Sequence, residues 1–141
     1  MRALVHRVSR AAVRVQDVTV AEIGPGLLVL LGVSREDDAV AAERLAAKVR
    51  ALRVFADADG HMNDALGERE ILCVSQFTLY GDARRGNRPS FVAAAPSEQA
   101  EPLYERFCEC AAAKRGVFGA HMKVELVNDG PVTLLLEVKR G

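Results

Sequence analysis

"EILCVSQFTLY", residues 70–80, decides how this chain is read. Ile71, Leu72, Cys73 and Val74 form an unbroken apolar run, the pattern of a strand buried on both faces. Ser75, Gln76 and Thr78 then interrupt it. A polar side chain inside a buried strand is costly unless something hydrogen-bonds it. On a strand, Gln76 and Thr78 share one face and Ser75 and Phe77 the other. Gln76 offers an amide donor pair and an acceptor; Thr78 offers a hydroxyl and a backbone N–H. Both suit a carbonyl or amino group. Spacing alone leaves a second reading open, a polar strand end leaving the core.

Upstream, "RALVHRVSRAAVRV" alternates, and "AVRVQDVTVAEI" reads as two short strands around Gln16-Asp17. "GPG" at 24–26 is a turn, and "LLVLLGV" is another fully buried strand. Ser34-x-x-Asp37 resembles a capping box. The helix after it carries Ala41, Leu45, Val49 and Leu52 at helical spacing. "ADADGHMND" reads as a loop. Downstream, "GDARRGNRPS" is a polar loop with three arginines. "PSEQAEPLYERFCECAAAKR" is a second helix with Ala100, Leu103, Phe107 and Cys110 on one face. "MKVELV", a turn at "NDGP" and "VTLLLEV" read as a terminal hairpin. The expected fold is α/β of the α+β-like kind, with a mixed, largely antiparallel, barrel-like sheet and two main helices. The regular βαβ alternation of a doubly wound fold is missing.

The 141 residues fit a single domain over 1–141, and half of them are hydrophobic. Nineteen Lys and Arg balance nineteen Asp and Glu. That argues against a surface coated with positive charge for nucleic acid and leaves room for a local basic patch. The longest apolar run, Leu27 to Leu31, is far too short for a bilayer, and the N-terminal stretch alternates rather than forming a signal-peptide core. The expectation is a soluble cytoplasmic protein with no membrane partner. Cys73, Cys108 and Cys110 make no disulfide framework. Cys108 and Cys110 point to different faces of a helix, with no further metal ligand nearby.

The glycine-rich phosphate loops and the H-E-x-x-H metal motif are absent. His6, His61 and His121 are far apart in sequence. His6 lies on an alternating strand and reads as a packing or surface residue; His61 is in a loop and His121 follows a turn. A catalyst built here works without an obvious histidine base, and the sequence calls for no metal or cofactor. Two polar islands remain: Ser75-Gln76-Phe77-Thr78, and "NDGPVT" over Asn128 to Thr133. Taken alone, the second is ordinary turn chemistry.

Together the islands are specific. "SQFTLYGD", then "RGNRPSF", then "NDGPVT" resembles the D-aminoacyl-tRNA deacylases, also called D-tyrosyl-tRNA deacylases. "MRALVHRVSRAAVRV" and "IGPGLLVLLGV" look like that family's opening, and "FGAHMKVELVNDGPVT" like its close. The resemblance implies a homodimer that hydrolyses the ester between a D-amino acid and its tRNA. It implies that Ser75, Gln76, Phe77 and Thr78 form one wall of the pocket. It implies a cis Gly130-Pro131, continued by Val132 and Thr133, that enters the partner's pocket with its main-chain oxygens facing the α-carbon and amino group. Arg7 matches the arginine that fixes that dipeptide, and Met122 the methionine packed beside it. A main-chain wall contacts atoms common to all amino acids and rejects an L-residue by clash. Glycine has no side chain to clash, so glycyl-tRNA, as on mischarged tRNA(Ala), is an expected substrate.

Two mechanisms stay open. Thr78 is the nucleophile, although no adjacent base activates it. Alternatively the RNA's own terminal 2′-hydroxyl orients water. The Phe77 and Thr78 N–H groups, with the Ser75 and Gln76 side chains, then hold the carbonyl and developing oxyanion. Arg84, Arg85 and Arg88 follow the strand and suit contact with tRNA phosphates. His6 stands where the family often has Gln, "GERE" at 67–70 replaces a Gly-rich lead, and "VQDVT" is short for the second hairpin. Two rival readings are a related editing enzyme with a trans Gly-Pro, acting on a small L-aminoacyl-tRNA, and a non-catalytic tRNA-binding dimer.

Overall fold

The computed structural model describes residues 1–139. Its frame is β1 (Arg2–Val15), long enough to serve three neighbours. β2 (Val18–Ile23) pairs antiparallel with its second half through a two-residue turn, in which Gln16 and Asp17 both take positive φ. β3 (Gly26–Gly32) pairs antiparallel with Arg2–Val8. β6 (Glu70–Ser75) lies parallel to β3, and β7 (Lys114–Arg115), a strand the sequence reading did not include, lies parallel to β6. β8 (Lys123–Glu137) runs along the other edge of β1. The result is a mixed six-stranded sheet, nearly closed into a barrel, with two helices.

The apolar runs explain the two cores. On β3 and β6, Leu27, Val29, Leu31, Ile71 and Cys73 face the helices, while Leu28, Leu72 and Val74 meet Val8, Ala11 and Val13 on the opposite side. Burial on both faces is what a parallel pair at the centre of a sheet requires. Helices α1 (Ala39–Ala51) and α2 (Ser97–Ala111) cover the first core with Leu45, Val49, Tyr104 and Phe107. The Tyr104 hydroxyl donates to the Cys73 carbonyl at 2.9 Å and pins α2 to β6. Among the described residues no helix is long and apolar enough to cross a membrane.

Five local readings change. The strand expected over 70–80 ends at Ser75, because its partner β3 ends: Leu31 is paired with Ser75, and Gln76 N–H makes a last bond to Leu31 O at 2.8 Å. Phe77–Tyr80 is a 3-10 turn, so Gln76 and Thr78 do not share a strand face. The terminal hairpin is one continuous strand. Lys123–Asn128 pairs with Val8–Arg14 and Thr133–Glu137 with Arg2–His6, leaving Asp129 to Val132 bulged opposite Arg7. The loop "ADADGHMND" contains a small hairpin of β4 (Phe55–Ala56) and β5 (Met62–Asp64), where Asp57 accepts the Asp59 and His61 N–H groups. Helix α1 starts at Ala39 under Asp38, which accepts the Ala41 N–H. Asp37 is instead taken by the Met1 ammonium at 2.8 Å and the Ser34 N–H at 2.7 Å. On α2 the buried face is Ala100, Tyr104, Phe107, Cys108 and Ala111; Leu103 and Cys110 sit half-buried at its edges.

Candidate active site

Where β6 gives way to the 3-10 turn, the chain borders a cavity of about 590 Å³. Ser75, Gln76 and Phe77 form one side, and Phe91, His121 and Met122 stand among the other lining residues. The turn seats closely on β3 because Gly32 has no side chain: a Cβ there would lie 3.0 Å from Leu79 Cβ and 3.2 Å from Gln76 O. Phe77 is 56% exposed, and Phe91 meets it edge-on with ring centroids 5.1 Å apart. An aromatic ring left that open at a cavity mouth is available to a ligand.

The polar groups of the turn are arranged as donors. The Gln76 side-chain amide donates to the Thr78 hydroxyl oxygen. That bond occupies a lone pair on Thr78 and leaves its O–H to point elsewhere. A nucleophilic hydroxyl needs an acceptor that takes its proton. The partner Thr78 has is a donor amide. The Phe77 and Thr78 N–H groups open the turn, and among the described residues neither has a hydrogen-bond acceptor. His121, which in sequence merely follows a turn, is the one ionisable side chain among the cavity's lining residues. Only the path of the chain from β7 into β8 brings it, Phe118 and Met122 to Ser75.

The second island forms a separate ridge. The Gly130–Pro131 peptide is cis, and both residues are exposed on the β8 bulge. Gly130 has φ +137°, and a Cβ there would lie 2.8 Å from Val132 Cγ2 and 3.0 Å from Arg7 Nη2. A side chain is excluded twice, by conformation and by space. Arg7 Nε donates to Asp129 O at 2.8 Å and Nη1 to Val54 O at 2.6 Å, so one guanidinium braces the bulge against the chain before β4. Asn128 closes it from the other side. Its Oδ1 accepts the Val132 N–H at 2.8 Å, and its Nδ2 donates to the Thr133 hydroxyl at 2.8 Å. His6 Nδ1 lies 3.3 Å from both Asn128 Nδ2 and Thr133 Oγ1. Partial burial lowers the His6 pKa below its ordinary value, which favours the neutral ring that can accept from Asn128. His6 therefore belongs to the ridge, which its place on an alternating strand did not reveal.

Within one chain, none of Arg7, Gly130, Pro131, Val132 or Thr133 lines the cavity. Met122 lies on the cavity side, with its sulfur against Gly116, and is not packed on its own chain's dipeptide. Arg84, Arg85 and Arg88 sit on the exposed loop between the 3-10 turn and Phe91. Two motif groups, one a cavity and the other an exposed main-chain ridge, are thus built on one sheet. Residues 4–137 match the family described as D-Tyr-tRNA(Tyr) deacylase. The chain belongs to this family. Over 147 aligned residues it is 57% identical to the D-aminoacyl-tRNA deacylase of Symbiobacterium thermophilum, covering 99% of this chain and 97% of that one. It is 56% identical to the D-aminoacyl-tRNA deacylase of Anaeromyxobacter dehalogenans, covering 99% of each. Among solved structures it resembles the c-Myc DNA Unwinding Element Binding Protein, with TM-score 0.93 and 44% identity over 99% of this chain and 100% of that one. A probable eukaryotic D-amino acid tRNA deacylase shares the fold, with TM-score 0.84 at 17% identity over 97% and 98% of the two chains.

Proposed function

We propose that this D-Tyr-tRNA(Tyr) deacylase family member hydrolyses the ester of D-aminoacyl-tRNA and spares the L-ester, using a cavity from one protomer and a main-chain ridge from another. The observation that carries the reading is the separation just described: Phe77 lines the cavity and Thr78 follows it in the turn without itself lining the cavity, both with N–H groups that have no acceptor among the described residues, while the ridge is a braced wall with no cavity. A second copy supplies each with the other. The free edge of β8 supports this pairing. Among the described residues β8 pairs with β1 alone, and Leu126, Val127, Leu134 and Leu135 are exposed along it. A fifteen-residue open edge carrying apolar side chains is a surface that proteins normally cover.

In this arrangement the ester carbonyl sits against the Phe77 and Thr78 N–H groups, with Ser75 and Gln76 beside it. Those donors stabilise the oxyanion that forms as water adds to the carbonyl carbon. The carbonyl carbon–oxygen bond to the ribose then breaks, giving the free D-amino acid and tRNA with its terminal hydroxyl restored. The absence of a base on Thr78 supports water, oriented by the neighbouring 2′-hydroxyl of the RNA, as the attacking group. The Gly130 and Pro131 carbonyl oxygens face the α-carbon and amino group, with Met122 of the receiving protomer beside them. An L-side chain meets main chain, a D-side chain points away, and glycine passes. Arg84, Arg85 and Arg88 lie on the exposed loop that leads to Phe91 at the cavity, and we assign that loop to phosphate contact.

The test is deacylation of matched D- and L-tyrosyl-tRNA, with glycyl-tRNA alongside. Loss of the D and glycyl esters with the L ester spared is the expected result. Cleavage of a small L-aminoacyl ester in preference would place the chain with editing enzymes of opposite selectivity. Folded dimer that cleaves no ester would leave a binding protein.

A further inference from the structure

We infer, building on the deacylase reading, that the three loop arginines have different jobs: Arg85 and Arg88 grip the RNA backbone, and Arg84 braces the loop that presents them. The loop is closed at its base by a two-way bridge, Asp82 N–H to Ser90 O at 2.7 Å and Ser90 N–H to Asp82 O at 2.8 Å. Arg84 lies inside that closure. Its Nε and Nη2 fork onto the Asp82 carboxylate at 2.9 and 2.8 Å, and its N–H meets Oδ1 at 3.0 Å. The same pair holds the Asp82 carboxyl down at about 2. Two of the Arg84 guanidinium donors are committed to the Asp82 carboxylate, so a phosphate would have to compete with it for that group.

Arg85 and Arg88 are exposed and have no partner among the described residues. Several cations elsewhere in the chain are instead held in ion pairs. Arg2 pairs with Glu137, Arg14 with Glu125, Arg106 with Glu43, Lys114 with Glu70 and Arg115 with Glu105. Arg10 on β1 and Arg44 and Lys48 on α1 also lack ion pairs among the described residues, but neither element contributes to the cavity lining. The arginine loop differs because its exit is the cavity wall: Phe91, one residue past the Ser90 bridge, packs on Phe77. An RNA 3′ end whose ester occupies the cavity brings its last phosphates past this loop. Two unpaired guanidiniums there meet the polyanion without first breaking a salt bridge. This also reconciles a net charge of zero with RNA binding: few phosphates are contacted, so specificity falls to the ester pocket.

The experiment measures binding of the intact protein to a non-hydrolysable amide analogue of D-tyrosyl-tRNA over a range of salt concentrations. For Arg85→Gln/Arg88→Gln the slope of log affinity against log salt should be shallower than wild type by about 1.5, as expected when two phosphate contacts are lost. Arg84→Gln should keep the wild-type slope, and Arg85→Lys/Arg88→Lys should restore most of it. In the second arm, the ratio of kcat/KM on D-tyrosyl-tRNA to that on D-tyrosyl-adenosine, which lacks the upstream phosphates, should fall in the double Gln variant. An unchanged slope in that variant overturns the inference. So does an equal flattening by Arg84→Gln, or a parallel loss on both substrates. If the wild-type protein binds the analogue yet cleaves no ester, the deacylase reading fails and the slopes still decide the arginine roles.

Discussion

Arg7 and Asp129 are joined across the sheet by a 2.8 Å hydrogen bond from Nε to the backbone carbonyl, one residue before Gly130. The same guanidinium holds Val54 O at 2.6 Å, so the ridge is tied to a second point of the fold. Lysine carries the charge but not the fork, and cannot span both carbonyls in this geometry. Arg7→Lys should leave a folded protein, since the lost bond is worth about 1.5–3 kcal/mol. It should lower D-ester cleavage by tenfold or more and raise residual L-ester cleavage. Parallel assays on the two esters read this directly. An unchanged D-to-L ratio would mean that the ridge keeps its shape without Arg7.

Thr78 separates two mechanisms. Its hydroxyl accepts from Gln76, and its N–H, at the start of the turn, has no acceptor among the described residues. If the N–H is the working group, Thr78→Ala retains much of the activity. Thr78→Pro deletes the donor, and its kcat falls by roughly a hundredfold or more, the usual effect of losing one oxyanion donor. A folded but inactive Thr78→Ala would return the hydroxyl to the nucleophile role. Single-turnover rates with each variant distinguish these results.

These two sites were legible to different degrees in the sequence, for physical reasons. The apolar runs of β3 and β6 announce strands buried on both faces, and they are so buried. The same run obscured where β6 stops, because that point is set by the length of its neighbour, a property of another segment. "NDGP" is good turn chemistry, and it does turn the chain locally. It does not reverse it, because β1 is long enough to pair with both arms of β8. The three arginines look alike as letters. They differ only once Asp82 is seen to capture the first. His6 and His121 carried no local signal at all, since each acquires its neighbours from segments more than a hundred residues or several elements away.

Gly32 gives a prediction about shape. It sits at the end of β3, where the 3-10 turn folds back, and an added Cβ meets Leu79 Cβ at 3.0 Å, Gln76 O at 3.2 Å and Tyr80 Cδ2 at 3.2 Å. Gly32→Ala pushes on the turn that carries both N–H donors. Crowding of this kind costs about 1–3 kcal/mol, so the protein should still fold, with a lowered melting temperature. Because donor placement matters at the scale of an ångström, kcat should fall by more than KM rises. An equal loss in a variant of similar stability elsewhere in the core would attribute the effect to folding alone.

His6 makes the ridge sensitive to acid. Its ring accepts from Asn128, which in turn holds the Val132 N–H and the Thr133 hydroxyl. Burial lowers its folded pKa below the ordinary 6.5. The unfolded chain therefore binds the proton more readily than the folded one. The contribution to stability is present above about 6.5 and is lost as pH falls through the depressed folded value. A protonated Nδ1 is a donor and repels the Asn128 N–H it had accepted, so the ridge should loosen in the same interval. In wild type, D-ester cleavage and melting temperature should both decline below pH 6.5. In His6→Gln, a residue that keeps an amide acceptor and does not titrate, both should flatten there. The measurement is a paired pH series of deacylation and thermal unfolding on the two proteins. Identical acid limbs would show that another group governs the decline and that the His6–Asn128 contact does not hold the ridge.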